Sequence, residues 1–169
     1  MDEPEFQYLW GKRYQIMVRA LTNRIYYQER QRIFEWRDGL IKAASILAGS
    51  VAFANVTNPD VVKYSAAFIT AASTFSLVFG YGNKARDSVK RSSEWTQLER
   101  DIEAAGERDF TEQQLNEWSA RANEIESGEP AMHETLFNRC HARAINALGS
   151  KDDSGLTFWD KYAPVILIP

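Results

Sequence analysis

Apolar residues along the chain recur first with a helical period and then in two nearly unbroken blocks. Between residues 4 and 36, Tyr14, Met17, Leu21, Ile25 and Gln28 follow one another at three- and four-residue steps, with Arg and Gln on the other side. That spacing predicts a long amphipathic helix. Residues 40–56 form the first apolar block, with one charge, Lys42, at its edge, and residues 61–82 form the second, with only Lys63 near its start. Between the blocks, Asn55, Thr57, Asn58, Pro59 and Asp60 read as a tight turn. A bilayer core asks for about 20 mainly apolar residues per helix, which the second block meets comfortably and the first only just.

Beyond Gly82 the helical pattern resumes through Val89, Trp95, Leu98 and Ile102. The second block is therefore expected to run on as one long helix ending near Gly106. Residues 111–126 predict a further helix, with Thr111 as N-cap and Gln114 three positions on, as in a capping box. Ser127, Gly128, Glu129 and Pro130 break it, and residues 131–148 form the last helix, stopped by Gly149. In the tail, residues 150–169, Pro164 and Pro169 argue against another helix. Its Trp159, Val165, Ile166, Leu167 and Ile168 would dock on the helices or touch a membrane surface. The fold class expected is all-α: a two-span transmembrane hairpin with long cytoplasmic helices forming a bundle, as a single domain over residues 1–169.

Ala- and Ser-rich blocks of this length also suit the buried hairpin of a soluble helical bundle, and the negative mean hydropathy fits either reading. The charge distribution separates them. Lys12, Arg13, Arg19, Arg24, Arg30, Arg32, Arg37 and Lys42 precede or edge the first block, and Lys84, Arg86, Lys90, Arg91 and Arg100 follow the second. By the positive-inside tendency, both outer ends lie in the cytoplasm and the turn outside. Trp36, Tyr64 and Tyr81 fall near the two interfaces, where amphipathic rings prefer to sit. Asp2, Glu3 and Glu5 are the reverse of a basic signal-peptide start, so no export is expected. The net formal charge of -3 adds nothing to this picture.

At about 100° per residue, Ser45, Ala48, Gly49 and Ala52 share one side of the first span, and Ala72, Ser73, Ser76 and Gly80 one side of the second, with Phe68, Phe75 and Phe79 beside them. Small residues four apart let membrane helices approach closely. These faces either hold the hairpin together or line a pore between subunits. For the pore, Ser45, Ser73 and Ser76 are the lining candidates, with Phe75 or Phe79 as a hydrophobic constriction. Two helices cannot enclose a channel, so a pore requires a homo-oligomer.

No catalytic constellation is present. His133 and His141 stand about 12 Å apart along a helix, too far for one metal ion, and Cys140 reads as an unactivated thiol. No cofactor, metal site or enzymatic activity is expected. Arg24, Tyr26, Tyr27, Arg30 and Arg32 interleave base and ring before the hairpin, and Arg86, Lys90, Arg91 and Trp95 do so after it. Such a cluster suits the phosphates and bases of a nucleotide or short oligonucleotide, or else anionic lipid headgroups. The ligand candidates are Arg24, Tyr27, Arg30, Arg86, Lys90, Arg91 and Trp95.

The layout resembles a known family. Arg-Ile-Tyr-Tyr-Gln-Glu-Arg-Gln-Arg-Ile at 24–33 leads into the Ala/Ser/Gly-rich hairpin. Asn-Lys-Ala-Arg follows it at 83–86, and the final helix carries Asn-Arg-Cys-His-Ala-Arg-Ala at 138–144. Over roughly residues 10–150 the chain is similar to SLATT domains, two-span effectors associated with SMODS nucleotidyltransferases and SLOG nucleotide sensors in bacterial conflict systems. The resemblance implies a pore-forming effector of the bacterial inner membrane that acts in antiviral, abortive-infection defence. It also implies a homo-oligomer, a tetramer as the first expectation, gated by a nucleotide made by a partner nucleotidyltransferase. It gives no catalytic residues, and the apolar tail departs from it. Two other readings stay open: a non-conducting membrane anchor whose bundle recruits a partner, and a soluble helical adaptor.

Overall fold

The computed structural model of the protein describes residues 3–149. The apolar tail with Trp159, Val165, Ile166, Leu167 and Ile168 lies outside the described residues. Those described are all-helical, with no strand among them: α1 (Glu3–Ala54), α2 (Pro59–Phe79), α3 (Tyr81–Ala104), α4 (Glu112–Ser127) and α5 (Glu134–Ala147). The amphipathic stretch and the first apolar block are one helix, α1, of 52 residues, with Glu3 and Glu5 in its first turn, where acid complements the helix dipole. The chain forms two compact units, residues 1–29 with 89–169, and residues 30–88.

In the first unit, the initial part of α1 packs with α3, α4 and α5. Ile16, Met17, Val18, Ala20, Leu21, Tyr26 and Tyr27 are buried, and so are the polar Thr22 and Asn23. A two-faced helix was expected here. The observed burial is nearly all round because three neighbours surround this segment, which the short and neutral side chains at 20–23 permit. Trp95, Leu98 and Ile102 of α3, Leu115, Trp118, Ala122 and Ile125 of α4, and Leu136, Cys140 and Ala144 of α5 complete the core. The capping box at α4 is present: Thr111 Oγ1 accepts from the Gln114 N–H, and the Gln114 side chain accepts from the Thr111 N–H.

The second unit carries the hairpin. Asn58 caps α2 by accepting from the N–H groups of Asp60 and Val61, and Pro59 takes the first turn, where its missing N–H costs nothing. The second apolar block does not run on as one helix. Gly80 takes a left-handed conformation at φ 57°, ends α2 by donating its N–H to Ser76, and offers its carbonyl to the N–H groups of Asn83 and Lys84 at the start of α3. A positive φ cannot continue an α-helix, and glycine adopts it without a Cβ clash. Residues 40–54 of α1 supply about 22 Å of helix, short of the roughly 30 Å of a bilayer's hydrocarbon, whereas α2 supplies about 31 Å. Among the described residues one helical run, which includes α2, is long and apolar enough to cross a membrane, and none of its most apolar window is buried.

Two glycines of the first unit test this backbone account by opposite shifts. Gly11 lies inside α1 with open space where a methyl group would sit, and Gly106 follows α3 at φ 77°, equally open. Gly11→Ala should raise stability by about 0.5–1 kcal/mol by removing glycine's backbone entropy, and Gly106→Ala should lower it by about 1–2 kcal/mol through left-handed strain. Thermal or denaturant melts followed by helix circular dichroism check both, and equal effects would contradict the assignment.

Candidate functional site

The hairpin helices meet through their small residues. Ser45, Ala48, Gly49 and Ala52 of α1 are half-buried, as are Ser65, Ile69, Ala72 and Ser76 of α2. A Cβ placed on Gly49 would lie 3.9 Å from Ile69 Cδ1, an ordinary contact. The Ser45 hydroxyl donates to the carbonyl of Ile41 at 2.9 Å within its own helix. Ser45 and Ser76 thus sit on the faces that close the hairpin, while Ser73 is exposed on the outside of α2. Thr70 and Thr74 share that outer side, and their hydroxyls donate back to Ala66 and Thr70 carbonyls at 2.9 Å. Phe75 and Phe79 are also exposed, their ring centres 4.1 Å apart. Of the pore-lining candidates, Ser73, Phe75 and Phe79 are the ones open to a neighbour.

The basic and aromatic residues singled out as ligand contacts are spread over both units and have different occupations. In the first unit, Tyr27 and Trp95 are fully buried, so neither has a ring face for a base to stack on. The Trp95 indole N–H donates to Glu129 at 2.7 Å. Arg24 pairs with Glu99 of α3 at 2.7 Å. Arg91 donates to the carbonyls of Ile125 and Gly128 and so caps the C-terminal end of α4. Lys90 is exposed. In the second unit, Arg30 lies over the Phe34 ring and Arg86 donates to the Gly82 carbonyl at 3.4 Å. The expected stacking role of Tyr27 and Trp95 gives way to core packing, because both rings are covered by the bundle.

Glu99, Glu126 and Glu129 are half-buried in this unit. Arg19 holds Glu126 and also donates to Asn123 at 2.9 Å. Glu29 is held between Arg139 and Arg143 at 3.7 and 2.6 Å. Arg13 is buried, donates to the Ile102 carbonyl at 3.1 Å and lies over the rings of Trp10 and Phe110. Nothing local announces the ion pairs or the Arg13–Ile102 bond, since each joins residues remote in sequence. The Glu129 carboxyl is pushed above its ordinary range by burial, against the opposing hydrogen bonds from Trp95 and Tyr27 and the charge of Arg91, with Glu126 adding to the rise. Burial likewise raises Glu99, opposed by Arg24.

Cys140 is fully buried and its thiol is pushed up to about 12, so it stays protonated and inert. His133 precedes α5 as its N-cap and donates its backbone N–H to the Tyr26 hydroxyl at 2.9 Å. It does not share a helix face with His141, whose Nδ1 lies 3.3 Å from Thr22 Oγ1. No group of side chains suited to a metal ion occurs among the described residues. A mainly apolar cleft of about 330 Å³ opens between α1 and α5. Tyr14, Val18 and Thr22 line one wall and Phe137, His141 and Ile145 the other, with Arg19 beside them. Both walls repeat every four residues, a signal that a search for charged clusters passes over.

Glu129 makes the first unit sensitive to pH. A carboxyl raised above its unfolded value favours the folded state in its protonated form, so its contribution is present at low pH and is lost as pH rises through the folded value. Glu129→Gln keeps an acceptor for Trp95 without the buried charge. The melting-temperature difference between variant and wild type should therefore favour the variant more at pH 7.5 than at pH 4, and a difference independent of pH would contradict this. Compared with family models, curated proteins and solved structures, the chain finds no match in any of the three.

Proposed function

We propose that the chain is an inner-membrane effector of bacterial antiviral defence whose hairpin spans the bilayer twice, with both outer ends in the cytoplasm. The observation that carries this reading is the uncovered apolar surface of the hairpin. Phe53 is 85 % exposed and Leu77 83 %, and Ile46, Leu47, Val51, Val56, Phe68 and Val78 are all half or more exposed. Water does not tolerate so large a continuous apolar surface on a lone soluble chain, which speaks against the soluble adaptor with a buried hairpin. Lipid accepts it, because the backbone groups of a helix bond to one another within the segment. The shorter first span is completed by Lys42 at its edge, whose chain can carry the charge to the interface. The basic flanks of the hairpin resist translocation and set the orientation.

In this reading, copies assemble through the outer faces of the hairpin. Ser73, Phe75 and Phe79 lie toward a pore or a neighbouring subunit, and the small faces are spent within each hairpin. The likeness to SLATT domains in layout supports a pore controlled by a nucleotide-type ligand from a partner nucleotidyltransferase. In the first unit, the α1–α5 cleft is where a ligand of nucleobase size finds room, since Tyr27 and Trp95 are covered. A second reading, a non-conducting anchor, is favoured by one observation: Arg24 and Arg91 already have partners inside the bundle.

Topology and conduction test the proposal together. Thr57→Cys places a thiol in the turn without disturbing the Asn58 cap, and buried Cys140 gives little background. The variant should stay with membranes after alkaline extraction and react with an impermeant maleimide in intact spheroplasts. Proteoliposomes of the wild type should leak ions, and Phe75→Ala should change that leak. Leak-free vesicles would leave the anchor reading, and recovery in the soluble fraction without detergent would overturn the membrane proposal altogether.

A further inference from the structure

Phe34, on α1 in the second unit, is fully buried, yet two cations converge on its ring. Arg30 Cζ lies 5.3 Å from the ring centre and Lys84 Nζ, from α3, 5.7 Å from it. A ring quadrupole attracts a cation but neutralises none of its charge. Among the described residues no carboxylate forms an ion pair with either side chain. The nearby acids are otherwise placed: Asp38 is paired with Lys42 and lies beside Gly82, Glu35 accepts from Gln31, and Asp87, three residues beyond Lys84 on α3, is exposed without an ion pair to it. The Arg30 Nε–H is enclosed without an acceptor.

Two further features mark the same place. Lys84 stands in the first turn of α3, which has no acidic residue of its own, although the Asp38 carboxylate of α1, paired with Lys42, lies beside Gly82 in that turn. Phe34 also stacks on Tyr81 at 6.1 Å, and Tyr81 comes directly after the glycine that ends α2. The cation pair is thus level with the point where the apolar span gives way to polar sequence.

We propose that Arg30 and Lys84 form a phosphate-binding site over Phe34. The phosphate would satisfy the enclosed Nε–H and neutralise both cations. It comes from the headgroup of an anionic phospholipid such as phosphatidylglycerol, or from a soluble phosphate ester. The lipid source rests on the hairpin reading given above, and the site itself does not.

The test uses the full chain in mild detergent, wild type beside Arg30→Gln, Lys84→Gln and Arg30→Lys, with Arg100→Gln as a remote control of equal charge change. Retention of phosphatidylglycerol is read by native mass spectrometry, and binding of inorganic phosphate by calorimetry. Helix circular dichroism confirms that each variant folds. Loss of a charged hydrogen bond should weaken binding roughly ten- to hundredfold in each Gln variant. Arg30→Lys should lose less, and Arg100→Gln nothing. Lipid retention without phosphate binding assigns the site to the headgroup, and phosphate binding lost in the same variants assigns it to a soluble ester. Equal binding of both probes by the wild type and the Gln variants overturns the site. Flotation with phosphatidylcholine–phosphatidylglycerol vesicles separates the two claims: if the wild type does not float, the hairpin reading fails while the phosphate arm still judges the site.

Discussion

The constraint on which everything else rests is that, among the described residues, nothing covers the hairpin's apolar surface. In α2 no residue is buried, and the face of α1 beside it presents Ile46, Leu47, Val51 and Phe53 outward. Helices can bear this, because their backbone groups bond within the segment, but the side chains require a non-aqueous neighbour. Small residues inside the hairpin bring α1 and α2 together and push the large ones out. Packing that would serve a soluble protein poorly serves a membrane helix pair well.

The first unit is built the other way round. Its stability draws on a core centred on Trp95, Ile102, Leu115 and Leu136, and on ion pairs that tie α1 to α3, α4 and α5. Arg24–Glu99, Arg19–Glu126 and Glu29–Arg143 each bind a different neighbour to α1. Exposed pairs of this kind contribute little energy, but half-buried ones fix which helix lies where. The basic side chains before the hairpin therefore divide by unit. Those in the first are structural, and in the second Arg30 meets Lys84, from beyond the hairpin, over the Phe34 ring.

Much of this was legible in the sequence, for local reasons. The capping box at Thr111 and the stop at Gly149 are decided by residues within one turn of each other, and the structure has both, whereas Asn58 and Pro59, read only as part of a turn, prove to start α2. The small faces of the hairpin followed from period alone. The break at Gly80 did not, because hydropathy runs across it and only a backbone angle marks it. Nor did the burial of Tyr27 and Trp95, or the engagement of Arg24 and Glu99. A basic-aromatic run looks the same whether its partners are a ligand's phosphates or carboxylates some 75 residues away. Spacing tells which side chains share a face, and not what that face meets.

The central claim, that the hairpin lies in hydrocarbon, is most directly tested by depth-resolved quenching. The native tryptophans all lie outside residues 37–94, so Leu77→Trp adds one reporter on the outer face of α2. Reconstituted in bilayers of lipids brominated at different chain depths, that added signal should be quenched strongly by bromines deep in the acyl chains and hardly by aqueous iodide. Quenching by iodide, with no response to brominated lipid at any depth, would contradict the account.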